Sequence, residues 1–135
     1  MDINESLNRI LHARESLGEL FYDHFLSTYP ELQQHFAGVD FKRQRVQLVT
    51  ALMIIERYHA DPTPAVEQYL QYLGTKHNEL NIPKEGYGKW TEAMIEAMGR
   101  FHGDDWSPTL EEQWREAIGK AIALMFEGYE TRVTV

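Results

Sequence analysis

Apolar side chains recur at every third or fourth position through most of the chain, which is the spacing of helices that bury one face. The first helical region is predicted from about Asn4 to Thr28, as one helix or as two that meet near Gly18. A short turn or helix is expected at Pro30–Phe36, because proline prevents the preceding helix from continuing. A second long helix is predicted to start at the N-cap Asp40, with an apolar face formed by Leu48, Ala51, Leu52 and Ile55.

Three further helices are predicted in the second half of the chain. Asp61-Pro62 has the pattern of an N-cap followed by a proline, and the helix that starts there ends at Asn81-Ile82-Pro83. Gly103-Asp104-Asp105 is a predicted loop, Ser107-Pro108 begins the last helix, and the tail after Tyr129 is expected to fray. The apolar faces are Tyr87, Trp90, Met94, Met98 and Phe101 on one helix and Leu110, Trp114, Ile118, Ala121, Ile122, Met125 and Phe126 on the other. The pattern predicts an all-α domain.

A histidine interrupts one of these apolar stripes. His77 lies four residues after Leu73 and three before Leu80, on the face that Val66 and Leu70 also occupy. A buried imidazole needs a hydrogen-bond partner, a metal or a cofactor. Taken alone, this position favours a hydrogen-bonded core histidine over a ligand.

Length and composition exclude several classes of protein. The 135 residues suit one domain, taken as residues 1–135 with a core at about 4–130. The formal net charge of −8 does not favour binding to nucleic acid or to an anionic membrane. The absence of cysteine excludes disulfides, thiolate catalysis and thioether-linked haem. The polar start is unlike a signal peptide, no apolar run is long enough for a membrane span, and a cytoplasmic location is therefore expected.

Other groups of polar residues give little indication of a catalytic or metal site. Glu56 and His59 have the spacing used by di-iron bundles, but such sites need a second pair and further glutamates. No nucleophile elbow or phosphate-binding glycine loop is present. His12 and His24 lie on a charged helix and are expected to be solvated, and His102 has no evident acid or base partner.

Four residues on different elements give the decisive pattern: Tyr22, Phe36, Gln44 and His77. In order and spacing the chain resembles the bacterial single-domain globins and the globin domain of flavohaemoglobins. The matching segments are Phe21-Tyr22-Asp23-His24-Phe25, Pro30-Glu31-Leu32 with Phe36, Gln44 with Leu48, Lys76-His77 with Leu80-Asn81-Ile82, Tyr87 and Trp114. The resemblance spans roughly residues 4–130 and implies a globin fold, with helices packed around a haem pocket.

The resemblance also implies roles for these residues. His77 would be the proximal ligand of a non-covalent haem b, with its other N–H donated to a backbone carbonyl such as that of Leu73. Phe36 would pack against the porphyrin, and Tyr22 and Gln44 would donate hydrogen bonds to a gas at the distal side. The implied apolar lining is Leu48, Leu52, Leu73, Leu80, Ile82 and Met94, and the candidate propionate partners are Arg43, Arg45 and Lys76.

The implied function is reversible binding of O2, NO or CO at a five-coordinate haem. The alternatives are nitric oxide dioxygenase activity with a separate reductase, since a reductase domain is not expected in this chain, and a haem-free signalling module. Tyr87 matches the tyrosine that flavohaemoglobins place beside the proximal histidine. Those proteins complete this network with a glutamate on the last helix, where this chain has Tyr129 followed by Glu130, so a weak peroxidase activity has less support.

Overall fold

A computed structural model describes residues 1–13 and 16–134. Within these ranges the chain is helical and contains no strand, which confirms the all-α prediction. Short 3-10 helices at Pro30–Phe36 and Gly103–Asp105 connect the main helices. The main helices are α1 (Ile3–His12), α2 (Ser16–Thr28), α3 (Phe41–Ala60), α4 (Pro64–Glu79), α5 (Glu85–His102) and α6 (Pro108–Glu130).

One predicted helix boundary is confirmed and another is wrong. The first helical region consists of two helices, as one of the two predicted alternatives had it: α1 ends at His12 and α2 begins at Ser16, two residues before Gly18, which is buried inside α2. There Gly18 leaves room for α3, because an added Cβ would lie 2.8 Å from the Cβ of Arg45. The helix that carries His77 starts later than predicted: Thr63 is its N-cap, and Pro64 is in its first turn. The side chain of Asp61 instead pairs with Arg57 at the end of α3.

The predicted caps at Asp40 and Ser107 are confirmed. The Asp40 carboxylate accepts hydrogen bonds from the backbone N–H groups of Lys42 and Arg43, and the Ser107 hydroxyl accepts from Leu110. Each cap satisfies backbone donors that the first turn of a helix leaves unpaired. The Asp40 cap fixes the start of α3, and therefore the position of Gln44 one turn later.

The core takes side chains from all six main helices. The aromatic face of α2 packs on α5, and α6 contacts both α4 and α5. The predicted apolar faces of α5 and α6 are buried at Tyr87, Met94, Met98, Leu110, Trp114, Ile118 and Ala121, whereas Trp90, Phe101, Ile122, Met125 and Phe126 are half-buried. The fully buried large side chains include Leu17, Phe21, Leu52, Leu70, Met94, Met98, Leu110, Trp114 and Ile118.

Helices α4 and α6 cross at a distance that only glycine allows. A Cβ on Gly74 would overlap the carbonyl of Met125, and a Cβ on Gly128 would overlap the carbonyl of Gln71. Beside the crossing, the Thr75 hydroxyl donates to the carbonyl oxygen of Gly128 over 2.8 Å. Backbone contact and this hydrogen bond together hold α4, the helix of His77, against α6.

The segment after α6 is attached to α4, so the prediction that it frays is wrong. The backbone N–H of Val133 donates to the Thr75 hydroxyl over 2.9 Å, and the Gln68 amide donates to the carbonyl oxygen of Thr134 over 3.3 Å. Thr75 thus accepts from the tail and donates to α6 with a single hydroxyl group.

A buried polar cluster joins α1 to α5 and α6. The indole N–H of Trp114 donates to the Ser6 hydroxyl over 2.9 Å, and the same hydroxyl is hydrogen-bonded to Nε2 of His102, 2.6 Å away. The His102 ring is 7% exposed and stacks on Trp106, while its Nδ1 has no partner among the described residues. This cluster could not be predicted from the pattern of the chain, because its members are far apart in sequence. None of the described helices is long and apolar enough to cross a membrane.

Candidate functional site

Tyr22 and Gln44 form a hydrogen-bonded pair between α2 and α3. The Gln44 side-chain amide donates to the Tyr22 hydroxyl over 3.1 Å. Tyr22 is 6% exposed, and this burial raises its pKa to about 12 although the hydrogen bond from Gln44 opposes the rise. The hydroxyl is therefore protonated at neutral pH. Because its oxygen already accepts from Gln44, its proton is available to another acceptor.

An aromatic cluster surrounds this pair. Phe36 at the end of the 3-10 helix lies 5.7 Å from the ring of Tyr22 and 6.3 Å from that of Phe25. Phe41 stacks on Phe36 and also contacts Tyr22 edge to face. The sequence analysis identified Phe36 but missed Phe41. The position of Phe41 directly after the Asp40 cap was the signal that could have indicated it. The cluster fixes the rotamer of Tyr22 and the end of the connection between α2 and α3.

His77 lies near the C-terminal end of α4 and is half-buried. Its Nδ1 is 2.8 Å from the hydroxyl oxygen of Tyr87 on α5. The expected partner, the carbonyl of Leu73, is therefore wrong, whereas Tyr87 lies beside His77 as the resemblance implied. Burial lowers the pKa of His77, so the imidazole is neutral at pH 7. Within residues 1–13 and 16–134, Nε2 of His77 has no hydrogen-bond partner.

Tyr87 continues this contact towards α6. Its ring packs edge to face on Phe126 and Tyr129, with centroid separations of 5.0 and 5.8 Å. Burial and the neighbouring Tyr129 raise the pKa of Tyr87, which is therefore a neutral hydroxyl group. The Tyr129 hydroxyl donates to the carbonyl oxygen of Ile82 over 2.6 Å, which ties α6 to the turn between α4 and α5.

Helix α5 connects the two groups of polar side chains. Tyr87 on its first turns meets His77, and Trp90, three residues later, packs 5.7 Å from Phe21. Phe21 in turn contacts the ring of Tyr22 at 4.9 Å. Helix α5 therefore contacts His77 through Tyr87 and contacts Phe21, the chain neighbour of Tyr22, through Trp90.

The other predicted pocket residues differ in their exposure. Leu48, Leu52 and Met94 are buried, whereas Leu73 and Ile82 are half-buried. Leu80 is 66% exposed, so the prediction that it continues the buried stripe of α4 is wrong: it is the C-cap residue, beyond the last helical turn.

The candidate cationic residues lie at the surface or near it. Arg43 and Lys76 are exposed and Arg45 is half-buried. Lys76 is 3.4 Å from the Glu79 carboxylate and also lies over the ring of Tyr72. The guanidinium of Arg43 has no ion-pair partner in the part of the chain that the structure describes. Arg43 is therefore available to an anion from outside the chain.

Comparison with known proteins gives one consistent family. The family model described as Globin matches residues 19–125. A flavohemoprotein of Halalkalibacterium halodurans is 31% identical over 88% of this chain, and one of Bacillus subtilis is 28% identical over 86%. The chain spans 29% of the length of each of these two relatives. A Pseudomonas aeruginosa protein, described as structurally highly homologous to a human hemoglobin, superposes with a TM-score of 0.76 and 25% identity over 92% of this chain and 98% of its own.

Proposed function

The chain belongs to the globin family, and from this premise we propose that it holds one non-covalent haem b through His77 and reversibly binds O2 and other diatomic gases. The family and the flavohemoprotein relatives support a haem-binding role. The observation that carries the assignment to His77 is its hydrogen bond with Tyr87, which engages Nδ1 and leaves Nε2 available. The proposal includes a cytoplasmic location.

The residues around His77 fit such a group. A haem takes a neutral imidazole nitrogen from the protein, and the burial of His77 keeps its ring in that form. The macrocycle needs apolar surroundings, which Leu48, Leu52 and Leu73 offer. Each 100 Å² of apolar surface removed from water is worth about 2.5 kcal/mol. The exposed guanidinium of Arg43 and the ammonium of Lys76 would pair with the propionates.

Tyr22 and Gln44 form the distal pair, which decides how long a gas ligand stays bound. When bound, the haem supplies the iron at which O2, NO or CO attaches. Tyr22 keeps its proton at neutral pH and directs its hydroxyl oxygen to Gln44, so the proton is free to be donated to a ligand that carries partial negative charge. The second N–H of Gln44 provides a further donor. Each such hydrogen bond is worth about 1–2 kcal/mol, which is about a tenfold change in the rate of ligand release.

A second candidate is nitric oxide dioxygenase activity, which the similarity to flavohemoproteins favours. This reaction consumes electrons, and a separate reductase would supply them. A haem-free signalling module has less support, since a half-buried histidine would then occupy the pocket without a ligand to bind. The enzyme would be identified by a turnover of NO that occurs with an added reductase and does not occur when the reductase is omitted.

An absorption spectrum tests the proposal directly. The purified protein, loaded with haem, should give a Soret band that sharpens after reduction and addition of CO. In His77→Ala this histidine-ligated spectrum should be lost while the far-UV circular dichroism remains helical. His12→Ala is the matched control, because His12 is exposed and, among the described residues, bonds only to the Asn8 carbonyl of its own helix. Unchanged haem uptake and CO spectrum in His77→Ala would refute the assignment.

A further inference from the structure

His102, the last residue of α5, is buried although its imidazole is an ionisable group. The ring is 7% exposed and lies parallel to the indole of Trp106, with the two ring centroids 5.9 Å apart. Its Nε2 is 2.6 Å from the Ser6 hydroxyl of α1, whereas Nδ1 is buried and has no partner among the described residues. The ring is therefore hydrogen-bonded through one nitrogen, and that bond is to α1.

The Ser6 hydroxyl suits a neutral imidazole better than a protonated one. The indole N–H of Trp114 can only donate, so it occupies one lone pair of the Ser6 oxygen. A neutral His102 with its proton on Nδ1 lets Ser6 donate its own proton to Nε2. A protonated His102 must donate from Nε2, and the Ser6 proton then has no acceptor in the part of the chain that the structure describes. Protonation therefore leaves two buried donors without acceptors, besides placing a charge in the core.

The charges around the ring do not compensate a buried cation. The guanidinium of Arg9 faces it from α1 and the carboxylate of Asp105 from the 3-10 helix, while α6 faces it with the uncharged indole of Trp114. Arg9 and Asp105 are bonded to each other, and the amino terminus of the chain also acts on Asp105. Burial and the positive charge of Arg9 lower the pKa of His102. The closed arrangement therefore favours the neutral ring.

Helix α1 has few attachments besides this one. Of its ten residues only Ser6, Leu7 and Ile10 are buried, and it packs on α3 and α6. The ion pair between Arg9 and Asp105 is more than half exposed on both sides, so it contributes little. A helix this short is not stable alone in water, and it can open as a unit at a smaller free energy than the whole domain.

We propose that His102 makes the attachment of α1 sensitive to pH, because the protonated ring reaches water and a free carboxylate only when α1 separates from α5 and α6. Separation removes Ser6 from Nε2 and Arg9 from Asp105, whose carboxylate then becomes available to His102, three residues earlier in the chain. The other helices keep their packing. The attachment is complete above the ordinary histidine pKa and weakens as the pH falls below it. This property of the polypeptide is independent of haem.

Native-state hydrogen exchange of the purified full chain tests this inference. The backbone amides of residues 7–12 report the opening of α1, and those of residues 117–124 report the core of α6. Between about pH 7.5 and about pH 5.5, the opening equilibrium of α1, corrected for the intrinsic exchange rate, should rise by about tenfold, the effect of losing one buried hydrogen bond. The opening of α1 should also depend less on urea than that of α6, because it exposes less surface.

Variants assign this response to His102. His102→Asn cannot be protonated, so its α1 should open equally at both pH values. His12→Gln is the matched control, because His12 lies on α1 itself and is exposed, and the tenfold response should remain. If His102→Asn fails to fold, Arg9→Gln provides the test: it frees Asp105 to neutralise the cation in place, so the pH response of α1 should become smaller.

Three results would overturn the inference. The amides of α1 could exchange only through global unfolding, with the same urea dependence as those of α6. Protection at about pH 5.5 could be lost at residues 103–107 and kept in α1, so that the connection after α5 opens instead. The pH response of α1 could also persist in His102→Asn, which would place its origin in another group.

Discussion

Alanine at Gly128 tests whether the crossing of α4 and α6 is as close as the structure indicates. An added Cβ would overlap the carbonyl of Gln71 and lie 2.8 Å from the backbone nitrogen of Thr75. Both are main-chain atoms, so the strain cannot be relieved by rotating a side chain. The two helices would have to separate by about 1 Å or more, which would also stretch or break the 2.8 Å hydrogen bond from Thr75.

The expected loss of stability follows from these contacts. Overpacking of this kind costs about 1–3 kcal/mol, and weakening the Thr75 hydrogen bond adds about 1 kcal/mol. The better helix propensity of alanine offsets about 1 kcal/mol. The free energy of unfolding of Gly128→Ala should therefore fall by about 1–3 kcal/mol. In a domain of this size, each kcal/mol lowers the melting temperature by about 3–5 °C.

Gly119→Ala on the same helix is the matched control. Gly119 is exposed, and a Cβ there would have no neighbour within 4 Å, so only the propensity gain remains. This variant should be more stable than the wild type by up to about 1 kcal/mol. Urea denaturation of the three proteins gives the comparison. If Gly128→Ala proves as stable as Gly119→Ala, the close crossing is wrong.

Three further predictions concern the polar groups. Tyr22→Phe should speed O2 dissociation about tenfold in flash-photolysis or stopped-flow measurements, and an unchanged rate would exclude Tyr22 as a donor. Ser6→Ala leaves the buried Trp114 and His102 without their shared partner, so the free energy of unfolding should fall by about 2–4 kcal/mol, whereas exposed Ser27→Ala should change it little. Burial lowers the pKa of His102, so the unfolded chain binds the proton more tightly. The contribution of His102 to stability should therefore be fully present above the ordinary histidine pKa and be lost as the pH drops below it. The urea midpoint should be lower at about pH 5.5 than at about pH 7.5, and this difference should be smaller in His102→Asn.

Local signals in the chain were sufficient to predict where most of the helices lie. The cap at Asp40, the prolines and the apolar spacing of α5 and α6 act within a few residues, and the structure confirms them. The error at Asp61-Pro62 arose because Thr63-Pro64 offers the same cap pattern two residues later. Asp61 instead ends α3 and pairs with Arg57, an arrangement that the cap pattern alone does not reveal.

Pairing across helices was harder to predict. The family pattern predicted Tyr22, Gln44 and His77 and implied that Tyr87 lies beside His77, but it did not reveal that Gln44 donates to Tyr22 or that Nδ1 of His77 meets the Tyr87 hydroxyl rather than the Leu73 carbonyl. Hydrogen bonds between residues far apart in sequence depend on helix rotation and rotamers, which periodicity leaves open. Leu80 shows the same limit, since its apolar spacing continues past the point where the helix ends.

Because residues 131–134 are attached to α4, their docking should respond to a ligand that binds at His77. Val133 is held by Thr75, two residues before His77 on the same helix. A ligand that binds more tightly when residues 131–134 are docked on α4 shifts their equilibrium towards the docked state, and by reciprocity docking of those residues raises the affinity for the ligand by the same factor. Hydrogen exchange of the Val133 amide, which donates to Thr75, would therefore measure occupancy of the site at His77 without observing the cofactor at all.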